Sequence, residues 1–438
     1  MKHNMYERIT AWILLIIFGL IVVHAPLTVV MGVQFPALSV AIKAWKEVLL
    51  VVAVVLVGIE VTRRRKFCEF ARDRLLQLAV AFATLHFLIA LFSPQGAGAV
   101  LAGLAIDVRY VAYFVTLYIF LRLYPHWWRR FVAVGVGGAG VVLGFALLQT
   151  VLPKDFLTLL GYSEKTIMPY LTVDKNPDYI RINSTLRGPN PLGAYAMMAL
   201  SGVLAYGLYR FRRLTTTRKA LWFEILALGA VVALWLSYSR SALIAALVAI
   251  AVVIVTRFDI RFDWRQWLGV SGVALFIISA GFLARDTPFI SNVILHNNPT
   301  TGASIDSNTA HATSLADGLK TMLHEPLGRG IGSTGSASLM SDAPIIVENQ
   351  FLFVAHEAGW LGLAIFIVLL VVLFRRLRPA RGDWLGLAIF ASGLGMLIIG
   401  LMLPVWTDDT VSIIWWGFAA IVLAKEGNYE RTTNKKTA

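Results

Sequence analysis

The sequence predicts an all-α integral membrane protein of about twelve transmembrane helices with both termini in the cytoplasm. Three observations predict it. Of 438 residues, 58% are hydrophobic and only 15% are charged, whereas a water-soluble domain carries roughly a quarter charged residues. The mean hydropathy is +0.72. Long apolar runs recur along the whole chain, and the basic residues cluster in alternate gaps between them. The formal net charge of +14 therefore marks topology and lipid headgroups, and no nucleic-acid partner is expected. The single cysteine, Cys68, excludes an intramolecular disulfide and a cysteine-based metal cluster.

A spanning helix needs about 20 mostly apolar residues. The runs that qualify are Ala11–Met31, Ala37–Val61, Leu75–Phe92, Val100–Leu123, Phe131–Leu152, Pro191–Tyr209, Ala220–Leu236, Ser241–Val255, Trp267–Leu283, Phe351–Phe374, Trp384–Leu403 and Val411–Ala424. The first follows Lys2 and Arg8 in the manner of a signal peptide. It is too long for a cleaved hydrophobic region, so it reads as an uncleaved first helix.

Most of the 39 Lys and Arg fall in one alternating set of loops, such as Arg63–Lys66, Arg210–Lys219 and Arg375–Arg381. The positive-inside rule makes this set cytoplasmic. Two long segments then face outward, 153–190 and 285–347, within one polytopic domain of residues 1–438. Loops of that length in a compact protein are usually functional. The second contains Ala312, Leu315, Leu319 and Met322 at helical spacing, which predicts an amphipathic helix on the membrane. No internal repeat is visible, which gives an inverted-repeat transporter no support.

Four constellations could carry chemistry. Arg181 through Gly193 ends the first outer loop and opens a helix at Asn190-Pro191. Two arginines, Arg181 and Arg187, beside a helix N-terminus make an anion site, or a turn that meets lipid phosphates. Ser239-Arg240-Ser241 forms a short outward turn in which Arg240 is no inside-topology signal. Its bidentate fork suits a diphosphate or carboxylate, if the side chain does not simply snorkel. The third runs from His311 through Glu325-Pro326-Leu327-Gly328 to Gly335. Its Gly330–Gly335 part matches GxGxxG but follows no strand, so it reads as a tight turn where backbone approaches a ligand.

The fourth is Glu348-Asn349-Gln350 at a membrane edge, with His356 and Glu357 inside the following span. Glu348 is a general-base candidate or a capping carboxylate. His356 shares its helix face if the helix starts early enough, or is a packing polar group. Lys43, Lys46, Glu47, Asp107 and Arg109 read as buried charges that pair internally or line a cavity. Asp408 and Asp409, in the last outward loop, read as solvated.

Across about residues 10–425, in these four places above all, the sequence resembles the O-antigen ligase and polymerase superfamily of bacterial surface-glycan assembly. The resemblance implies a GT-C-like glycosyltransferase of the bacterial inner membrane with its site on the periplasmic face. It implies a substrate glycan carried on undecaprenyl diphosphate, transfer to a glycan or lipid acceptor hydroxyl without metal, and no cofactor. Membrane lipids surround it, and a polymerase would work beside a chain-length regulator. Arg240 matches the family arginine that holds the lipid diphosphate. His311 stands where many ligases carry a second arginine, and Glu348 where ligases carry a histidine before asparagine. Both differences point away from lipopolysaccharide ligation and toward the polymerase-like branch.

Chemistry then assigns expected roles. Arg240, with Arg187 and Arg181 next, stabilises the departing diphosphate; Glu348 or His311 takes the acceptor proton; Asn190, Asn349 and His356 contact substrate. No acidic pair on the outer face asks for a metal. A ligase that passes finished glycan to lipid A core or protein is the alternative within the class, and a small-anion transporter is the alternative outside it.

Overall fold

The computed structural model describes residues 5–210, 217–260, 263–266, 279, 282–287, 290–295, 307–341, 344–380 and 382–437. These fold into helices α1 (Met5–Gln34), α2 (Trp45–Arg63), α3 (Arg74–Leu91), α4 (Ala97–Leu123), α5 (Trp128–Gln149), α6 (Pro189–Arg210), α7 (Thr217–Leu236), α8 (Arg240–Phe258), α9 (Ser307–His324), α10 (Gln350–Arg376), α11 (Trp384–Gly400) and α12 (Asp409–Thr437). Among the described residues the only sheet is a hairpin, β1 (Leu171–Val173) with β2 (Asn176–Arg181).

Among the described residues eight helices, α1, α3 to α8 and α10, are long and apolar enough to cross a membrane. In lipid a backbone must satisfy its hydrogen bonds internally, so such runs fold as helices. The chain is an all-α integral membrane protein, as expected. Every predicted span falls on a helix except Trp267–Leu283, which lies largely outside the described residues.

The first two predicted spans depart in form from a plain helix. The first starts at Met5 and passes through a 3₁₀ turn at Ile21–Val23. The second is broken: a 3₁₀ turn at Pro36–Leu38 and a short helix at Ser39–Lys43 precede α2, and Ala44 between them leaves helical geometry (φ −90°, ψ 4°). The restart at Trp45 turns Lys46 and Glu47 inward.

Helix α4 buries Tyr110, Tyr113, Phe114 and Tyr118 and packs along α12, α3 and α2. Trp416 on α12 meets Tyr110 with ring centroids 5.4 Å apart, and Trp406 and Trp415 pack on it at 5.8 and 5.5 Å. Helices α6, α8 and α11 pack together through small residues, with Ala242, Ala245, Ala246 and Ala249 of α8 all buried. Small side chains let backbones approach where lipid offers no hydrophobic drive between helices.

The inward turn of α2 builds an ion network. Lys46 Nζ lies 3.0 Å from Asp409 Oδ2 and 3.2 Å from Glu47 Oε1, and His24 Nε2 lies 3.1 Å from Asp409 Oδ2. Arg109 of α4 pairs with Asp409 and with Glu47, and donates to Thr407 O at 2.7 Å. Lys46, Glu47 and Arg109 thus pair internally, as one reading held, whereas Lys43 is exposed and Asp107 is buried outside this network. The solvated reading of Asp408 and Asp409 is corrected: Asp409 is only 6% exposed. The α11–α12 connection folds inward around fully buried Trp406, where cations from two other helices meet it.

Candidate active site

The hairpin places the first arginine. Its two-residue turn has Asp174 (φ 46°) and Lys175 (φ 59°) both left-handed, the backbone of a type I′ turn. Strand β2 then runs to Arg181, and Ile182 N donates to Leu236 O (3.1 Å), joining the hairpin to the end of α7. Arg181 Nε donates to Ser237 O (2.8 Å) and Nη2 to Asn190 Oδ1 (2.6 Å). Asn190 therefore positions a guanidinium, and α6 begins at Pro189, not at Pro191.

The turn between α7 and α8 places the second. Tyr238 is left-handed (φ 45°), Ser239 N donates to Ser237 Oγ (3.2 Å), and Ser239 Oγ lies 3.2 Å from Ser241 Oγ. Arg240 opens α8 and donates from Nη1 to Leu295 O at 3.3 Å. Helix α6 seats directly on this turn at Gly193. A Cβ there would stand 2.8 Å from both Ala242 Cβ and Ser237 Oγ, so only glycine permits the approach.

The candidate acid–base residues come from the second long segment. His311 on α9 puts Nδ1 2.5 Å from Glu348 Oε2. Glu348 N donates to Ser314 Oγ, also on α9, at 3.2 Å. Asn349 caps α10: its Oδ1 accepts from Phe351 N and Leu352 N (2.9 and 3.0 Å), and its Nδ2 donates to Leu401 O (2.8 Å).

These pieces enclose one cavity of about 440 Å³, lined by Arg181, Asn190, Tyr238, Arg240, His311 and Glu348 among others, with Leu401, Met402 and Leu403 as an apolar wall. Burial, and then repulsion from the Arg240 guanidinium, push Arg181 down to about 10, so it stays charged at neutral pH. Two guanidiniums face a space that holds a carboxylate–imidazole pair. The arrangement can hold a doubly charged phosphate group and take a proton beside it.

Three of the other expected substrate contacts lie elsewhere. Arg187 is exposed, and its charge acts on Asp408 and Asp409. Asn349 sits behind the cavity as a cap. His356 is buried within α10, 2% exposed, and does not share a helix face with Glu348, because α10 starts only at Gln350.

The Gly330–Gly335 turn approaches the protein itself. Helix α10 is broken at Gly359 (φ 66°, ψ −168°), and Trp360 N donates to Pro326 O (2.9 Å) while Arg329 N donates to His356 O (2.7 Å). Gly332 N and Thr334 N both donate to Glu357 Oε1 (3.2 and 3.3 Å). The backbone of this turn therefore cradles a carboxylate of α10, which corrects the reading of a ligand there. Glu325 and Arg329 pair through two 2.7 Å bonds, which hold the Glu325 carboxyl below its ordinary range. Missing from the sequence reading is a role for Tyr238; its only signal was its place two residues before Arg240.

Fold and cavity together define a polytopic membrane protein with a pocket that brings two guanidiniums together with a histidine–carboxylate pair. Residues 225–367 match the family described as O-Antigen ligase, a stretch that contains Arg240, His311 and Glu348. The chain is also 24% identical over 331 residues to an O-antigen polymerase of Salmonella muenchen, covering 74% of this chain and 79% of that protein. Both matches support the resemblance to the O-antigen ligase/polymerase superfamily.

Proposed function

We propose that the protein is a glycosyltransferase of the bacterial inner membrane that polymerises a surface polysaccharide from undecaprenyl-diphosphate-linked units. The family implies lipid-linked glycan substrates. The observation that carries the reading is the single cavity shared by Arg181, Arg240 and the His311–Glu348 pair.

In the reaction an acceptor hydroxyl oxygen attacks the anomeric carbon of the donor glycan. The bond from that carbon to the diphosphate oxygen breaks, and undecaprenyl diphosphate departs with the electron pair. Negative charge gathers on the leaving group, where Arg240 and Arg181 stabilise it. The hydroxyl proton passes to Nε2 of His311. Nδ1–H of the same ring donates to Glu348, which orients the imidazole and stabilises its cationic form, as a carboxylate does for a catalytic histidine. The two guanidiniums take the part a metal plays in other diphosphate-releasing enzymes. The basic loops support an orientation with this site on the periplasmic side and both termini in the cytoplasm.

A ligase is the second reading, favoured by the description of the family that matches residues 225–367. Purified protein in lipid, given undecaprenyl-diphosphate-linked repeat units alone, distinguishes them. A ladder of longer lipid-linked glycans is expected. Product that forms only when a different acceptor is added would make it a ligase, and no transfer under either condition would overturn the enzyme reading.

A further inference from the structure

One cavity-lining residue has no part in the chemistry so far. Tyr238 stands at φ +45° in the turn before Arg240, a backbone region that L-residues other than glycine and asparagine avoid. Glycine would make this turn without strain, yet a large aromatic side chain occupies it. Strain of this kind persists where surrounding structure holds it, and it gathers at binding sites.

The surroundings do hold it. The Tyr238 ring meets the Tyr179 ring edge to face, with centroids 6.2 Å apart and planes at 83°. Tyr179 lies on β2 two residues before Arg181, so the two share one face of the strand. Each arginine of the cavity is thus preceded at the same spacing by a tyrosine, and the two tyrosines touch. Two Cα steps of about 3.8 Å also keep Tyr238 and Arg240 within about 7.6 Å along the backbone. An aromatic face beside a diphosphate clamp is chemically specific. A pyranose ring carries axial C–H groups on one face, and these are attracted to the negative face of an aromatic ring.

We propose that Tyr238, propped by Tyr179, is the platform for the pyranose ring attached to the lipid diphosphate. This rests on the proposed glycosyl transfer and adds how the site tells a sugar-bearing lipid from the spent carrier. Discrimination of this kind lets product leave while substrate stays. The ring stacks and Arg240 clamps, so loss of either weakens a different part of the same ligand.

The test compares two probes, undecaprenyl diphosphate bearing one pyranose and undecaprenyl diphosphate alone, bound to full-length protein in lipid nanodiscs. The parent should hold the sugar-bearing lipid more tightly. Tyr238→Gly removes the ring and relieves the backbone. It should melt no lower than the parent, bind the sugar-free lipid unchanged, and lose about tenfold in affinity for the sugar-bearing lipid. Tyr238→Phe should behave as the parent. Tyr238→Asn, which tolerates left-handed backbone without an aromatic face, gives the same comparison if the glycine variant does not fold. Unchanged affinity for the sugar-bearing lipid in the glycine or asparagine variant would overturn the proposal, and so would an equal loss for both probes. Because the readout is binding, a parent that binds sugar but transfers nothing would sink the transferase reading and leave the platform standing.

Discussion

At the scale of single residues, the cavity makes sharp demands. In the proposed reaction Arg240→Ala removes a donor aimed at developing charge, and about a 10²- to 10³-fold loss in turnover is expected in a steady-state transfer assay. Arg181 offers a pH test. Its guanidinium, held down to about 10 by burial and by Arg240, remains charged through neutral pH. The same downward push on a lysine, whose ordinary value lies below that of arginine, would bring it closer to neutral pH. In the proposed reaction the cation is the active form, and it is lost as pH rises. Arg181→Lys should therefore lose transfer at a lower pH than the parent, as a pH–rate profile of both would read. Elsewhere, Asp409→Asn leaves Lys46 and Arg109 buried with Glu47 as their one remaining shared carboxylate, at a cost of up to about 3 to 5 kcal/mol. A large drop in the detergent melting midpoint is the expected result.

Helices and turns show how much of the site was legible beforehand. Arg181, Asn190, Arg240, His311 and Glu348 were all candidates from the sequence, and all line one cavity. They stood out because polar residues in outward turns of an apolar chain have few structural reasons to be there. What the sequence could not show was the break in α10. Glu348 and His356 read as sharing a helix face if the helix starts early enough, but Asn349 caps the helix after Glu348 and Gly359 interrupts it with φ 66°. Nor could spacing reveal that the Gly330–Gly335 turn closes on Glu357, because that contact joins segments more than twenty residues apart. The break is itself testable. A Cβ at Gly359 would lie 2.4 Å from Pro326 O, in a backbone region that disfavours L-residues. Gly359→Ala should undock the Pro326–Gly335 turn, raise protease cleavage there, and reduce transfer without altering Arg240.

For the whole molecule, the membrane class followed from composition and the spans from the apolar runs, since lipid leaves the backbone few alternatives to a helix. The ion network of Lys46, Glu47, Arg109 and Asp409 followed only in part: the first three read as buried charges that pair internally or line a cavity, but Asp409 did not read as their partner. The members lie on three helices far apart in sequence, and Asp409 looks like an ordinary solvated charge until those helices pack. Orientation is the remaining property at this scale. The basic loops predict that a reporter fused at Gly328 reads as periplasmic and one at Arg65 as cytoplasmic. The reverse pattern would invert the bundle and leave the cavity away from any periplasmic acceptor.

The central claim is that one cavity both clamps the diphosphate and accepts the proton. The most direct measurement is single-turnover transfer by His311→Ala beside the parent, in lipid, with saturating lipid-linked donor and a bound-donor control. The expected result is unchanged donor binding with the chemical step slowed by about 10² or more. Parent-like single-turnover rates in that variant would contradict the account, since the imidazole 2.5 Å from Glu348 would then have no part in moving the proton.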